Sequence, residues 1–120
     1  MREWRELRLY FRALSDVRRL KMVSELSQAT DISVKELCYR LRASQPLISW
    51  HLRVLVRCGL VRTRRQGRQV FCSLNRQAFT TYQERLAQLL EEGQVEDSQV
   101  ARDDTSLLVP KPSSLSAGIQ

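Results

Sequence analysis

From Trp4 to Leu90 the apolar residues recur with a helical period, switch briefly to alternation, and then return to the helical period. Trp4, Leu7, Phe11 and Leu14 fall on one helical face, with Tyr10 beside Phe11, and predict a first helix. Ser15 and Asp16 each offer a cap for a second helix over roughly Val17 to Leu26, with Leu20 and Val23 read as inward. A third helix starts at Ser33, because Ser33 and Glu36 have the spacing of a capping box. Val34, Leu37, Cys38 and Leu41 then form an i, i+3, i+4, i+7 stripe along it.

After a break at Arg42 and Ala43, Ser44 caps a fourth helix, with Pro46 in the first turn, where a missing N–H costs nothing. That helix runs over 45–57 and stops at Gly59, which can take the left-handed conformation. Two strands follow, Leu60 to Arg64 and Gln69 to Leu74, around a turn centred on Gln66 and Gly67. A last helix over about Arg76 to Glu92 is expected to bury Phe79, Tyr82, Leu86, Leu89 and Leu90. From Gly93 onward Ser, Asp, Pro and Gly dominate and periodicity disappears. The expected organisation is one folded domain over 1–92 and a flexible tail over 93–120. The fold class is mostly α with a small β-hairpin, in the order α-α-α-α-β-β-α. Helices three and four, joined by a tight turn, form a helix-turn-helix, and the hairpin over 61–74 forms a wing: a winged helix-turn-helix.

Charge sharpens this picture. Twenty Lys and Arg against 13 Asp and Glu give a net +7, unevenly placed. No carboxylate occurs between Glu36 and Glu84, yet Arg40, Arg42, Arg53, Arg57, Arg62, Arg64, Arg65, Arg68 and Arg76 all fall there. A merely solvated surface would mix signs. An all-cationic run suits a polyanion, nucleic acid in the first place and an anionic membrane as the rival, and arginine suits phosphate and guanine edges. No apolar stretch reaches the roughly 20 residues that span a bilayer, and Met1 to Arg8 lacks a secretory apolar core, so the expectation is a cytoplasmic protein with no membrane partner. Three cysteines without close pairing fit a reducing compartment.

The fourth helix divides on a helical wheel. Ile48, Leu52 and Leu55 share the packed face, and Pro46, Ser49, Trp50, Arg53 and Arg57 the opposite one. Such a face fits a helix lying in the major groove, with Ser44 and Gln45 in its first turn also in reach and Gln45 suited to adenine. In the wing, Arg64, Arg65 and Arg68 are the candidate backbone or minor-groove contacts, with Arg62 and Arg64 on the same side of the ribbon. The alternatives are a solvated amphipathic helix and an edge hairpin kept soluble by charge. His51, the only histidine, sits at the border of the packed face; without partners it reads as structural or phosphate-binding rather than as a metal ligand or catalytic base.

The segments Ala13-Leu14-Ser15-Asp16-Val17-Arg18-Arg19-Leu20, Ser44-Gln45-Pro46-Leu47-Ile48-Ser49-Trp50-His51-Leu52, Gly59-Leu60-Val61 and Arg65-Gln66-Gly67-Arg68 through Ser73-Leu74 together resemble the arsenic-resistance-repressor (ArsR) type of winged-helix regulator over about residues 8–90. The resemblance implies a bacterial homodimer built on the first and last helices. It implies binding to double-stranded DNA at an operator, blocking transcription, and release by a chemical signal that is often a metal or metalloid. Where such regulators carry a cysteine pair at the start of the third helix, this chain has Ser33 and Lys35, with only Cys38 remaining. Where they place Asp and His ligands on the last helix, it has Arg76, Ala78, Leu89 and Glu92. No metal and no cofactor is therefore expected at those sites. Trp50 stands where a basic or hydrogen-bonding residue is usual, which points to a thymine methyl or sugar contact. Cys38, Cys58 and Cys72 read as small buried packing groups, with a thiol- or metalloid-responsive role as the alternative.

Dimerisation has a physical argument of its own. Trp4, Leu7, Tyr10 and Phe11 of the first helix and Tyr82, Leu86 and Leu89 of the last exceed what so small a core can bury, and surplus apolar area is a partner surface. Two-fold symmetry would then set two recognition helices about 34 Å apart on a palindromic site. A winged helix docking on RNA or on a protein is the rival binding class. An enzyme is not expected, because there is no phosphate loop, paired carboxylate site or nucleophile with a histidine partner.

Overall fold

Each internal helix begins where a side chain can satisfy an orphan backbone N–H. In the computed structural model, which describes residues 2–92, Asp16 accepts from the Arg19 N–H at the start of α2 (Val17–Ser27). Ser33 accepts from Glu36 at the start of α3 (Val34–Leu41), and Ser44 from Leu47 at the start of α4 (Gln45–Arg57). These contacts fix the entry points that the sequence spacing predicted. The first helix, α1, spans Arg2–Leu14, and α5 spans Arg76–Glu92. Asn75 precedes α5 and accepts from the Ala78 N–H, while its own amide donates to the Gly59 carbonyl at 2.9 Å, tying the helix start to the end of α4. The tail expected over 93–120 lies outside the described residues.

The element order is α1-α2-β1-α3-α4-β2-β3-α5, with a short strand, β1 (Ile32–Ser33), that the sequence pattern did not reveal. Strands β2 (Val61–Gln66) and β3 (Gln69–Leu74) form the wing, and β3 is central in an antiparallel β1-β3-β2 sheet. Ile32 pairs with Cys72 and Ser33 with Phe71, so β1 anchors the base of the wing next to the helix-turn-helix. The hairpin turn is Gly67–Arg68, one residue later than predicted, because Gln66 pairs with Gln69 and Gly67 alone takes positive φ (64°) there.

One compact unit covers Met1–Glu84; the second, Arg85–Gln120, is described only for the end of α5. The core of the first unit joins Met22 and Leu26 of α2, Leu37 of α3, Ile48, Leu52 and Leu55 of α4, and Ile32, Leu60, Val61 and Cys72 around the sheet. The third-helix stripe is as predicted, with Leu37 fully buried and Val34, Cys38 and Leu41 packed against the core.

Three inward faces differ from expectation. On α1, Leu7, Tyr10 and Ala13 point inward, leaving Trp4 and Phe11 60% and 46% exposed. The large Tyr10 ring decides this rotation: it stacks on Tyr82 at 4.4 Å between centroids and meets Phe79 edge-on. On α2, Met22 and Leu26 replace Leu20 and Val23 as the buried pair; Val23 is half-buried and Leu20 exposed, because the inward row runs through Arg19. On α5 no side chain is fully buried: Phe79, Tyr82, Leu86 and Leu89 are half-buried, and Leu90 is 63% exposed.

Candidate nucleic-acid interface

The turn between α3 and α4 is closed by Arg42, a non-glycine residue in the left-handed region (φ 51°, ψ 49°), whose N–H donates to the Tyr39 carbonyl while Ala43 N–H donates to Cys38. This closure sets the start of α4. Ile48, His51, Leu52 and Leu55 face inward, and Gln45, Pro46, Trp50, Arg53 and Arg57 outward, with Ser49 half-buried. The Ser44 hydroxyl is used as the helix cap.

Trp50, 51% exposed, is positioned from beneath by a polar network that the sequence did not disclose. Arg19 is buried, and its Nε donates to the Ala13 carbonyl at the end of α1 at 2.6 Å. One terminal nitrogen of the same guanidinium donates to His51 Nδ1 at 3.0 Å, and the guanidinium also lies 5.7 Å from the Trp50 ring centroid. Arginine cannot accept, so Nδ1 must be the unprotonated nitrogen and the imidazole is neutral. His51 is therefore structural: 4% exposed, edge-on to Trp50, with Asp16 4.0 Å away. Burial pushes its pKa down, and the Arg19 and Arg18 charges add to this, against the pull of Asp16. For Asp16, burial acts to raise the pKa, but the Arg19 N–H and the Arg19 charge outweigh it and hold the carboxyl below its ordinary value. One residue thus links the end of α1, the start of α2 and α4. The only sequence signal for it was Arg19's place in the Asp16 to Leu20 segment.

Sheet pleating separates the wing arginines. Arg65 pairs with Val70 on the same side as Thr63–Cys72 and Val61–Leu74, the side that faces the core. Arg62 and Arg64 lie on the other side, as predicted. There Arg64 is engaged: it donates to Asp31 at 2.5 Å and to Gln66 at 2.6 Å, and covers the Phe71 ring at 4.9 Å. Arg53, Arg57, Arg65 and Arg68 have no hydrogen-bond, ion-pair or ring partner among the described residues. Arg53 of α4 and Arg68 of the wing line one groove of about 430 Å³ with Gln45, Ser49, Lys35 and Val70, and its lining holds no carboxylate.

The profile of the bacterial regulatory protein arsR family matches residues 16–63. An ArsR-like transcriptional regulator from Rhodococcus sp. RHA1 superposes with a TM-score of 0.68 at 31% identity, over 88% of this chain and 95% of its own. The chain belongs to the ArsR family. Its relatives include the arsenical resistance operon repressor of Escherichia coli strain K12, 42% identical over 65 residues, covering 54% of this chain and 56% of the relative. The transcriptional activator HlyU of Vibrio cholerae is 41% identical over 64 residues, covering 53% and 58%. The chain spans less than two thirds of the length of these curated relatives. They are transcriptional regulators, and the expectation of a non-enzyme agrees with that.

As an ArsR-family member, this chain offers poor metal donors at the positions named above. The Ser33 hydroxyl is spent on the Glu36 N–H, Lys35 has no lone pair when protonated, and Arg76 donates to the Ser27 carbonyl. Among the described residues no three His, Cys, Asp or Glu side chains converge as a metal site. Burial raises the pKa of all three thiols, that of Cys72 to about 11, so none is a ready thiolate at neutral pH. Cys72 is fully buried; Cys38 and Cys58 are half-buried, and Cys58 donates to the Leu9 carbonyl. No described helix is long and apolar enough to cross a membrane.

Proposed function

We infer that this ArsR-family chain is a DNA-binding transcriptional repressor that lays α4 in the major groove and sets the wing against the neighbouring backbone. The observation that carries this reading is the carboxylate-free groove in which unpaired Arg53 and Arg68 meet beside Gln45, Ser49 and Lys35. A helix with its side chains is about 10–12 Å across, close to the roughly 12 Å major groove, so Gln45 and Arg53 can reach base edges. Pro46, Ser49 and Trp50 offer close, largely apolar approach, and Arg57, Arg65 and Arg68 suit phosphates.

Exposed Trp4 and Phe11 supply the apolar surface for a homodimer, which would present two such helices to a palindromic operator. Repression needs no more than occupancy of the promoter by this basic surface, and the arsenical resistance operon repressor among the relatives favours that reading. The signal is not a metal at the family's usual positions, whose donors are unsuitable here. Stoichiometric zinc or arsenite is accordingly expected to leave the DNA complex intact in a fluorescence-anisotropy titration; release would overturn that part of the reading.

Selection of bound fragments from the source genome, followed by anisotropy at increasing salt, tests the whole. Expected is an inverted-repeat site whose log affinity falls steeply with log salt, by about 0.9 per neutralised phosphate. Preference for single-stranded RNA, or indifference to duplex DNA at moderate ionic strength, would refute it.

A further inference from the structure

Behind the wing, on the face turned away from α4, lies a second cationic cleft. It is an open space of about 800 Å³ between the ribbon and the segment Leu26–Asp31 (the end of α2 and the loop after it), and it gathers Arg62, Arg64 and Arg76 around a single carboxylate, Asp31. These three arginines are in different states. Arg62 has no partner among the described residues. Arg76 spends one terminal nitrogen on the Ser27 carbonyl at 2.8 Å. Arg64 is clamped between Asp31 and Gln66 and sits over the Phe71 ring. Asp31 meets Arg64 from the loop at 2.5 Å, as an oxygen of a backbone phosphate would. Both partners are substantially exposed, with side-chain accessibilities of 52% and 36%, so water and a competing anion can reach the pair.

We propose that this cleft is a second backbone-phosphate site, in which Asp31 acts as a resident anion holding Arg64 until a phosphate of the bound duplex displaces it. The inference rests on the DNA-binding reading above and extends it to the opposite face of the wing. A ribbon entering the minor groove, about 6 Å wide, has a sugar-phosphate strand on either side. Arg65 and Arg68 serve the side towards α4, and the cleft serves the other. An open, shallow site with guanidiniums spread over three elements fits a polymer backbone better than an enclosed small anion. Exchanging one carboxylate for one phosphate costs little, because an exposed ion pair is weak and both anions accept the same fork. The wing's reach towards the flanking strand is thereby restrained in the free protein and released on DNA.

The test compares the full chain with Asp31→Asn, Arg64→Ala and the double variant on one selected operator duplex, measuring affinity by anisotropy from low to moderate salt. Asp31→Asn is expected to tighten binding several-fold with the salt slope nearly unchanged, because the phosphate contact forms in both complexes and only the competing anion is lost. Arg64→Ala alone is expected to weaken binding and to lower the salt slope by about 0.9, the loss of one phosphate contact, and the double variant to show no gain over Arg64→Ala. Unchanged affinity for Asp31→Asn, or an unchanged slope for Arg64→Ala, overturns the proposal. So does a gain that survives in the double variant, because it would reflect the lost negative charge acting at a distance rather than through Arg64. Melting curves of all variants confirm that folding is intact, and Asp31→Ala serves as a second variant with the same expected outcome. If the wild-type chain binds duplex normally and only these changes fail, this inference falls alone; if it binds no duplex, both readings fall.

Discussion

At the scale of single residues, His51 and Arg42 each hold a junction between helices. His51 is neutral because Arg19 can only donate to it, and burial holds its pKa below the ordinary 6.5. A base with a lowered folded pKa binds fewer protons folded than unfolded. The stability it contributes is therefore complete above about pH 6.5 and is lost as pH falls through that value towards the folded pKa. Asp16, also lowered, adds a loss only in more acidic solution, below its ordinary 3.8. Urea unfolding is expected to show a midpoint that declines between pH 7.5 and 5.5 in the wild type and stays nearly level in His51→Gln; equal declines would exclude His51 as the cause. Arg42 offers the opposite kind of test. Its left-handed backbone costs an L-residue about 1–2 kcal/mol, partly offset by the extra freedom that glycine has when unfolded. Arg42→Gly is expected to stabilise by about 0.5–1 kcal/mol in thermal melts. The break at Arg42 and Ala43 was legible, but not that Arg42 itself takes the left-handed closing conformation, because its residue type does not call for positive φ.

Between elements, the proposed DNA contact divides between α4 and the wing. Arg53 projects from a helix whose opposite face is anchored in the core by Ile48, Leu52 and Leu55, a rigid mount that suits the base contact proposed for it. Arg68 sits in a two-residue turn at the tip of the ribbon, where a charge can follow a backbone but not define a sequence. Arg53→Ala is expected to weaken operator binding by about 1–3 kcal/mol and to relax base preference, whereas Arg68→Ala weakens operator and random duplex alike and lowers the salt slope by about 0.9. Parallel anisotropy titrations on the two duplexes check both; equal losses for Arg53→Ala would reduce it to a phosphate contact. The caps at Ser33 and Ser44 and the stripe of α3 could be read directly, since they depend on neighbours within one turn. The buried faces of α1 and α2 could not, because a stack between Tyr10 and Tyr82 and a hydrogen bond from Arg19 to His51 join residues far apart in the chain.

For the whole molecule, the decisive surface is the apolar one left uncovered. Of the residues expected at a dimer interface, Leu7 and Tyr10 are consumed by the subunit's own core, while Trp4 and Phe11 are left in water. Burying such aromatics is worth roughly 1.5–3 kcal/mol each, which favours the proposed homodimer. Trp4→Ser with Phe11→Ser is expected to shift the protein from dimer to monomer in sedimentation velocity and to weaken binding to a two-half-site operator more than to a single half-site. A dimer that persists unchanged would remove these side chains from the interface.

By itself the sequence determined the order of the helices and the wing, their caps, and the concentration of positive charge between Glu36 and Glu84, because these depend on residue type and on spacing within a turn or two. Tertiary structure alone decided which arginines remain free and which are tied up. That outcome turns on distances between residues remote in sequence: Arg64 beside Asp31, Arg19 beneath Trp50, and Arg53 across a groove from Arg68. A guanidinium's chemistry is fixed by its covalent structure, but whether it meets a carboxylate, a ring or open solvent is fixed only by the fold.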